Sequence, residues 1–385
     1  MIGILKSTVR ARKGWILSPL SDGVFIFGGS LFALSMLFVA IVALFLPAGE
    51  LRFTIERLSA ATAEFAVFFI LFALNGGHMV AGLGLLIFNH RERERILKVE
   101  KHLWLKIAGL FLVPMIFYGV SASLYIARGS PINFVTPIAL MGLAYFAWNG
   151  WHFALQQFGL LNLYRQKLGI LQPHDRAFDR AVSFLFVFIF PWTLIFSRGQ
   201  SDAFLRHLLG SFQWLSGYRS VILTAMVVAT CLAIFRITLV RQWRTQLTLC
   251  YLSIFFIPFA IALNPKIFIV MALLGPHYLQ EIFLTSTIDS ATRQKNQEQP
   301  LVRWNKLAAR IGILVVLSAA FYHVWSVGWY AENGISNFGS FRTSPALKQS
   351  EFVVVTAIAA VLMGFNFLHY YLDRLIFSKR SGTIT

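Results

Sequence analysis

Four histidines stand inside strongly apolar stretches of this chain: His78 in NGGHMVAG, His152 in WNGWHFALQQFG, His277 in LLGPHYLQEIF and His369 in NFLHYYLDRLIF. Three have a polar residue four positions on, namely Gln156, Glu281 and Asp373. Positions i and i+4 share a helix face, so each histidine and its partner point the same way. Imidazole nitrogen together with carboxylate oxygen is the donor mixture that suits iron, zinc or manganese. Glu281 and Asp373 would then be further ligands, acceptors that fix an imidazole tautomer, or a general base. His90, in FNHRERE, and His174, in QPHDR, are placed to reach the same face from its rim.

The elements that must carry these residues are membrane spans. Of the 385 residues 57% are hydrophobic, 38 of them Phe, and the mean hydropathy is +0.67, well outside the range of soluble domains. At about 20 apolar residues per crossing, the chain has room for about ten helices. The expected spans are 24–47, 64–88, 105–127, 132–164, 181–197, 220–240, 246–263, 267–287, 307–330 and 352–376, the fifth broken by Pro191 and the fourth long enough to tilt or project from the bilayer. An amphipathic helix at the outer interface is expected over 199–218, and a Gly-, Ser- and Asn-rich outer loop over 331–350.

The net charge of +18 comes from 34 Lys and Arg spread through short connections, which argues for topology signals and against a nucleic-acid stripe. Alternate connections hold the excess, among them the arm with Lys6, Arg10, Arg12 and Lys13, the segment from Arg91 to Lys101, and Arg165, Lys167, Arg176 and Arg180. That bias predicts both termini in the cytoplasm, and so an integral protein of the inner membrane. The expected division is a cytoplasmic arm over 1–23, a single transmembrane helical domain over 24–376 and a cytoplasmic tail over 377–385. On this topology the four histidine helices run outward to inward, with their imidazoles at matched depth.

An ionisable group inside a span costs about 2.5–3.5 kcal/mol on insertion scales, so those retained generally face the protein interior. Gly76, Gly77, Gly82 and Gly84, with Gly159 and Gly275, flank three of the histidines and are expected to shape a cavity. Cys231 and Cys250 lack CxxC spacing and read as packing residues, and Asp289 reads as a loop residue. No P-loop, dinucleotide fingerprint, GxSxG or HExxH motif occurs, which removes support for ATP-driven transport, dinucleotide chemistry and zincin-type proteolysis.

The run NGGHMVAG, WHFALQQFGLLNLYR, GPHYLQ and LHYYLDRLIF, with the opening LSPLSDGVFIFGG, resembles a group of uncharacterised bacterial multi-pass membrane proteins over nearly the whole chain. A looser resemblance is to the Brp/Blh membrane carotene dioxygenases, which gather histidines from several helices around iron and cleave beta-carotene to retinal. Pro276-His277 matches the Pro–His segments typical of that family. At His78 a glycine precedes the histidine and Gly82 follows at i+4, in place of the family's PHGxxD form. This resemblance implies an iron-dependent enzyme with an apolar substrate.

The combined expectation is an all-α polytopic bundle, and a membrane metalloenzyme whose cytoplasm-facing site binds iron, or else zinc or manganese. Its ligands would be His78, His152, His277, His369 and His90, with Glu281 and Asp373 as catalytic carboxylates. Its partners would be the lipid bilayer and a lipid-soluble small molecule, possible chemistry including oxygenation. The alternatives are a proton- or ion-coupled transporter using the same residues, and a protein in which the histidines only bind helices together.

Overall fold

The computed structural model describes residues 15–16, 18–70, 74–128, 131–197, 215–240, 244–263, 265–293 and 349–377, with isolated positions between 309 and 316. The described residues are helical and contain no strand. Residues 1–14 of the expected arm and 199–214 of the expected interfacial helix, nearly all of the ninth span, the outer loop to 348 and the tail beyond Phe377 lie outside them, as do His207 and His323.

The chain enters helix α1 through a built cap. Ser18 Oγ accepts from the backbone N–H of Ser21 at 3.1 Å, and Pro19 occupies the first turn, where its missing N–H costs nothing. α1 comprises Pro19–Asp22, a π turn over Gly23–Phe27, and Gly28–Phe45. Its first turn therefore lies within the stretch expected as an arm, and Ser21 and Asp22 are buried.

The next helix departs from expectation. Residues 50–63, expected as part of an outer connection, belong to α2 (Glu50–Phe69), which carries a Glu56–Arg52 ion pair at 2.8 Å one turn apart and packs on α1. Its charges lower the hydropathy without breaking the helix. α3 (Asn75–Phe88) follows, then the short amphipathic α4 (His90–Val99), α5 (Leu103–Arg128) and α6 (Pro131–Leu168).

α6 is continuous over 38 residues. At 1.5 Å per residue it rises about 57 Å, nearly twice the hydrocarbon thickness of about 30 Å. It ends at Gly169, whose φ of 73° permits the reversal into α7.

α7 comprises Pro173–Ser183, a π turn over Phe184–Ile189, and Phe190–Ser197. It is not broken at Pro191. A proline ring collides with the carbonyl four residues back and supplies no N–H, and the wider π turn just before it takes up that mismatch. The same device recurs in α10: Pro265–Phe268, a π turn over Ile269–Leu274, and Gly275–Arg293, with Pro276 again two residues beyond the π turn. Asp289 thus lies in a helix, not a loop. Between them come α8 (Arg219–Leu239) and α9 (Thr245–Leu263), and α11 (Gln349–Phe377) closes the described fold.

Among the described residues, five helices are long and apolar enough to cross a membrane: Pro19–Ala43, Leu103–Leu124, Pro173–Ser197, Leu215–Leu239 and Thr245–Leu263. Their outer faces remain apolar, with Phe38, Phe45, Leu105, Leu232 and Phe235 all exposed on the isolated chain. These apolar helices pack beside the ones that bear His152, His277 and His369: α5 against α6 and α11, α1 against α10, and α7 and α9 against α6.

A candidate metal centre between four helices

Histidines from α3, α6, α10 and α11 meet in the interior. The ring of His78 lies 4.6 Å from that of His369 and 5.4 Å from that of His277, centroid to centroid. The His152 ring lies 5.0 Å from His277 and 5.3 Å from His369. His78, His277 and His369 are 0–2% exposed, and Glu281 and Asp373, one turn beyond two of them, are 1% and 4% exposed. Along α6 the cluster sits about 20 Å from Arg165, counting 1.5 Å per residue.

Three of these helices run the same way. His152 meets His277 while Gln156 and Gln157, one turn on, meet Gln280, so α6 and α10 advance together. His277 meets His369 while Glu281 and Asp373 fall in one donor cluster with His369, so α11 follows the same sense.

The donor atoms form two overlapping groups: His78, His277, Glu281 and His369, and His152, Glu281, His369 and Asp373. Within each group one atom per residue lies within 4.8 Å of all the others. Close approaches include His369 Nδ1 to Glu281 Oε1 at 3.0 Å, His152 Nε2 to Asp373 Oδ2 at 3.3 Å and His277 Nε2 to Glu281 Oε2 at 3.6 Å. These contacts lack hydrogen-bonding geometry. His152 Nε2, His277 Nε2, both ring nitrogens of His369, both oxygens of Glu281 and Asp373 Oδ1 are buried without a hydrogen bond.

Such orphaned atoms are costly unless something pairs them. Ligands held about 2.0–2.2 Å from a metal lie roughly 3–3.5 Å from one another, aimed at a shared point and not at each other. The cluster has that character.

One histidine has its tautomer set by a chain of amides. Gln280 Nε2 donates to the carbonyl of Ile26, in the π turn of α1, at 2.9 Å, so its Oε1 is left to accept. Gln156 and Gln157 each donate an amide N–H to that oxygen at 3.1 Å. Gln156 therefore turns its own oxygen to His277 Nδ1, which it contacts directly. An amide oxygen only accepts, so Nδ1 carries the proton and the Nε2 lone pair faces the cluster.

Aromatic rings wall the site. Tyr278 stacks on His78 at 3.8 Å, Phe153 lies 4.5 Å from His277 and Tyr370 lies 4.4 Å from His152. Tyr278, Tyr370, Gln157 and Gln280 are neighbours of the cluster that the i, i+4 reading passes over. The signal was the repeated His–Tyr pair at 277–278 and 369–370.

His90 is not brought to the cluster. Its side chain is 68% exposed at the start of α4, with Nδ1 3.6 Å from Glu94 of the same helix. The residue before it, Asn89, interrupts the helical run and separates α4 from α3. His174 likewise points outward, 65% exposed beside Asp175, and His102 is exposed. The glycines divide: a Cβ at Gly275 would run into Ile70, whereas Gly84 and Gly159 face open space, so close approach does not explain those two.

A second polar cluster joins α1, α6, α7 and α9. Arg165, wholly buried, donates to Asp179 through Nε at 2.5 Å and to Tyr251 at 2.8 Å, and its guanidinium lies 3.3 Å from Asp175. Tyr251 donates in turn to Asp179, and Tyr164 donates to Asp22 at 3.0 Å. Arg165, expected as a topology charge, is thus the centre of an internal ionic network.

No protein-family model matches the chain, and neither does any curated protein or solved structure with which it was compared.

Proposed function

We propose that this chain is a membrane metalloenzyme in which His78, His277, His369 and Glu281 hold a catalytic metal ion, iron foremost with zinc or manganese as alternatives, and act on a lipid-soluble substrate. The observation that carries this reading is the convergence of buried imidazole nitrogens and carboxylate oxygens from four helices, one atom per residue within 4.8 Å of the others in each donor group. A divalent ion would also neutralise the two buried carboxylates, Glu281 and Asp373.

The surroundings favour an apolar substrate. Phe153, Tyr278 and Tyr370 pack against the imidazoles, and the helices around the site present apolar faces outward. When bound, the metal would polarise the substrate or activate oxygen or water, which these side chains cannot do alone. With a single ion bound, Asp373, beside His152 and His369, would be the group to hold or pass a proton. The reading includes an inner-membrane topology of about ten spans with both termini in the cytoplasm, supported by the alternation of basic connections.

Elemental analysis of the detergent-purified protein, beside a His152→Ala, His277→Ala double variant, tests the proposal. Stoichiometric metal in the parent and its loss from a variant that still elutes as a monodisperse particle are expected. A metal-free parent overturns the reading. If the metal-free protein then drives a flux in proteoliposomes that Glu281→Gln abolishes, the same residues serve ion-coupled transport instead.

A further inference from the structure

The interior cluster offers more donors than one ion with an open coordination position uses, since catalytic sites typically take three protein ligands. We propose that the centre is dinuclear: one divalent ion held by His78, His277 and His369, a second by His152 and Asp373, with Glu281 bridging the two. This inference rests on the metalloenzyme reading above and adds the second ion.

The two donor groups share Glu281 and His369. A neutral imidazole has one free lone pair, so His369 can serve only one of them fully. Assigning it to the ion beside His78 leaves His152, Asp373 and Glu281 for the other, three ligands with room for substrate or solvent. Glu281 suits a bridge because it belongs to both donor groups: its Oε2 lies 3.6 Å from His277 and its Oε1 3.0 Å from His369, and in the second group it offers a carboxylate oxygen within 4.8 Å of donor atoms of His152 and Asp373.

The rival arrangement has a single ion, with Asp373 merely accepting a proton from a ligand histidine. The molecule shows what such an outer contact looks like: His277 Nδ1 meets Gln156 in a direct hydrogen bond. Asp373 is placed differently: its Oδ2 lies between two imidazoles, 3.3 Å from His152 and 3.7 Å from His369, and its Oδ1 is buried without a hydrogen bond. His152 Nε2 is orphaned beside it. This pair is built as a ligand pair.

The test uses the full chain in detergent, stripped by chelator and reloaded with manganese(II) or, in a parallel sample, iron(II). Two ions per chain are expected, with an exchange-coupled manganese signal in electron paramagnetic resonance. A His152→Gln, Asp373→Asn variant should bind half as much manganese and show the spectrum of an isolated ion. One ion per parent chain, or two that are uncoupled, overturns the dinuclear inference and leaves the proposed function standing. No metal in the parent overturns both. Because the parent alone decides between these outcomes, a variant that fails to fold does not remove the test.

Discussion

Gln156 holds the Nδ1–H of His277 through its amide oxygen, and the orientation of that amide traces back through Gln280 to the Ile26 carbonyl. The π turn of α1 thereby helps fix which nitrogen of a buried histidine on α10 faces the donor cluster. Outer partners of this kind orient a ligand ring and raise its basicity, and their loss typically costs about 10–100-fold in metal affinity. Gln156→Leu should reduce affinity by that order while leaving the fold intact, as measured by competition with a coloured chelator. An unchanged affinity would mean that His277 is not a ligand through Nε2.

Arg165 and Asp179 predict a different phenotype. Removing one member of a buried ion pair strands the other charge, a loss of about 3–5 kcal/mol. Arg165→Met should therefore lower the thermal unfolding midpoint in detergent sharply. Adding Asp179→Leu to it should restore part of the loss, because the stranded carboxylate goes too. Protein that survives folding should retain its metal, since the network lies about 20 Å along α6 from the histidines. Loss of metal with unchanged stability would reverse the roles given to the two clusters.

The histidine site was readable because membrane interiors penalise polar side chains and because i, i+4 spacing declares a face. His78, His152, His277 and His369 stood out on the first ground and the last three on the second as well, and the all-helical class followed from hydropathy. Other features had no such signature. Gln280 is three residues from His277, off the pattern, and its importance lies in a contact with Ile26 across 254 positions. Arg165 at a helix end has the sequence appearance of a solvated topology charge, and only the return of α7 and α9 buries it. Pro191 signals a break in any local reading, whereas a π turn lets the helix continue. His90 follows a histidine helix closely in sequence, yet the interruption at Asn89 turns it outward.

Gly29 controls how closely α1 approaches the histidine end of α10. A Cβ there would lie 3.0 Å from the Cα of Pro276, a backbone atom that cannot rotate away. Gly29→Val should displace the start of Gly275–Arg293, at an overpacking cost of about 1–3 kcal/mol. Because His277 and Gln280 follow directly, metal affinity should fall together with the unfolding midpoint. Gly159→Ala, with nothing within 4 Å of its Cβ, is the matched control and should change neither.

The direction of the chain in the bilayer can be tested at the two ends of α1. Asp22 is tied to Tyr164 near the inner network, and from Asp22 to Phe45 the helix rises about 35 Å, close to a bilayer's hydrocarbon thickness. Ala48, just beyond, and His174, near Asp175 of the network, are both exposed and lie towards opposite ends of that helix. In a background where Cys231 and Cys250 are replaced, Ala48→Cys should react with a membrane-impermeant maleimide in spheroplasts, and His174→Cys only in inverted vesicles. The reverse pattern would turn the protein over and place the basic connections outside. Equal labelling of both sites from one side would mean that α1 does not cross at all.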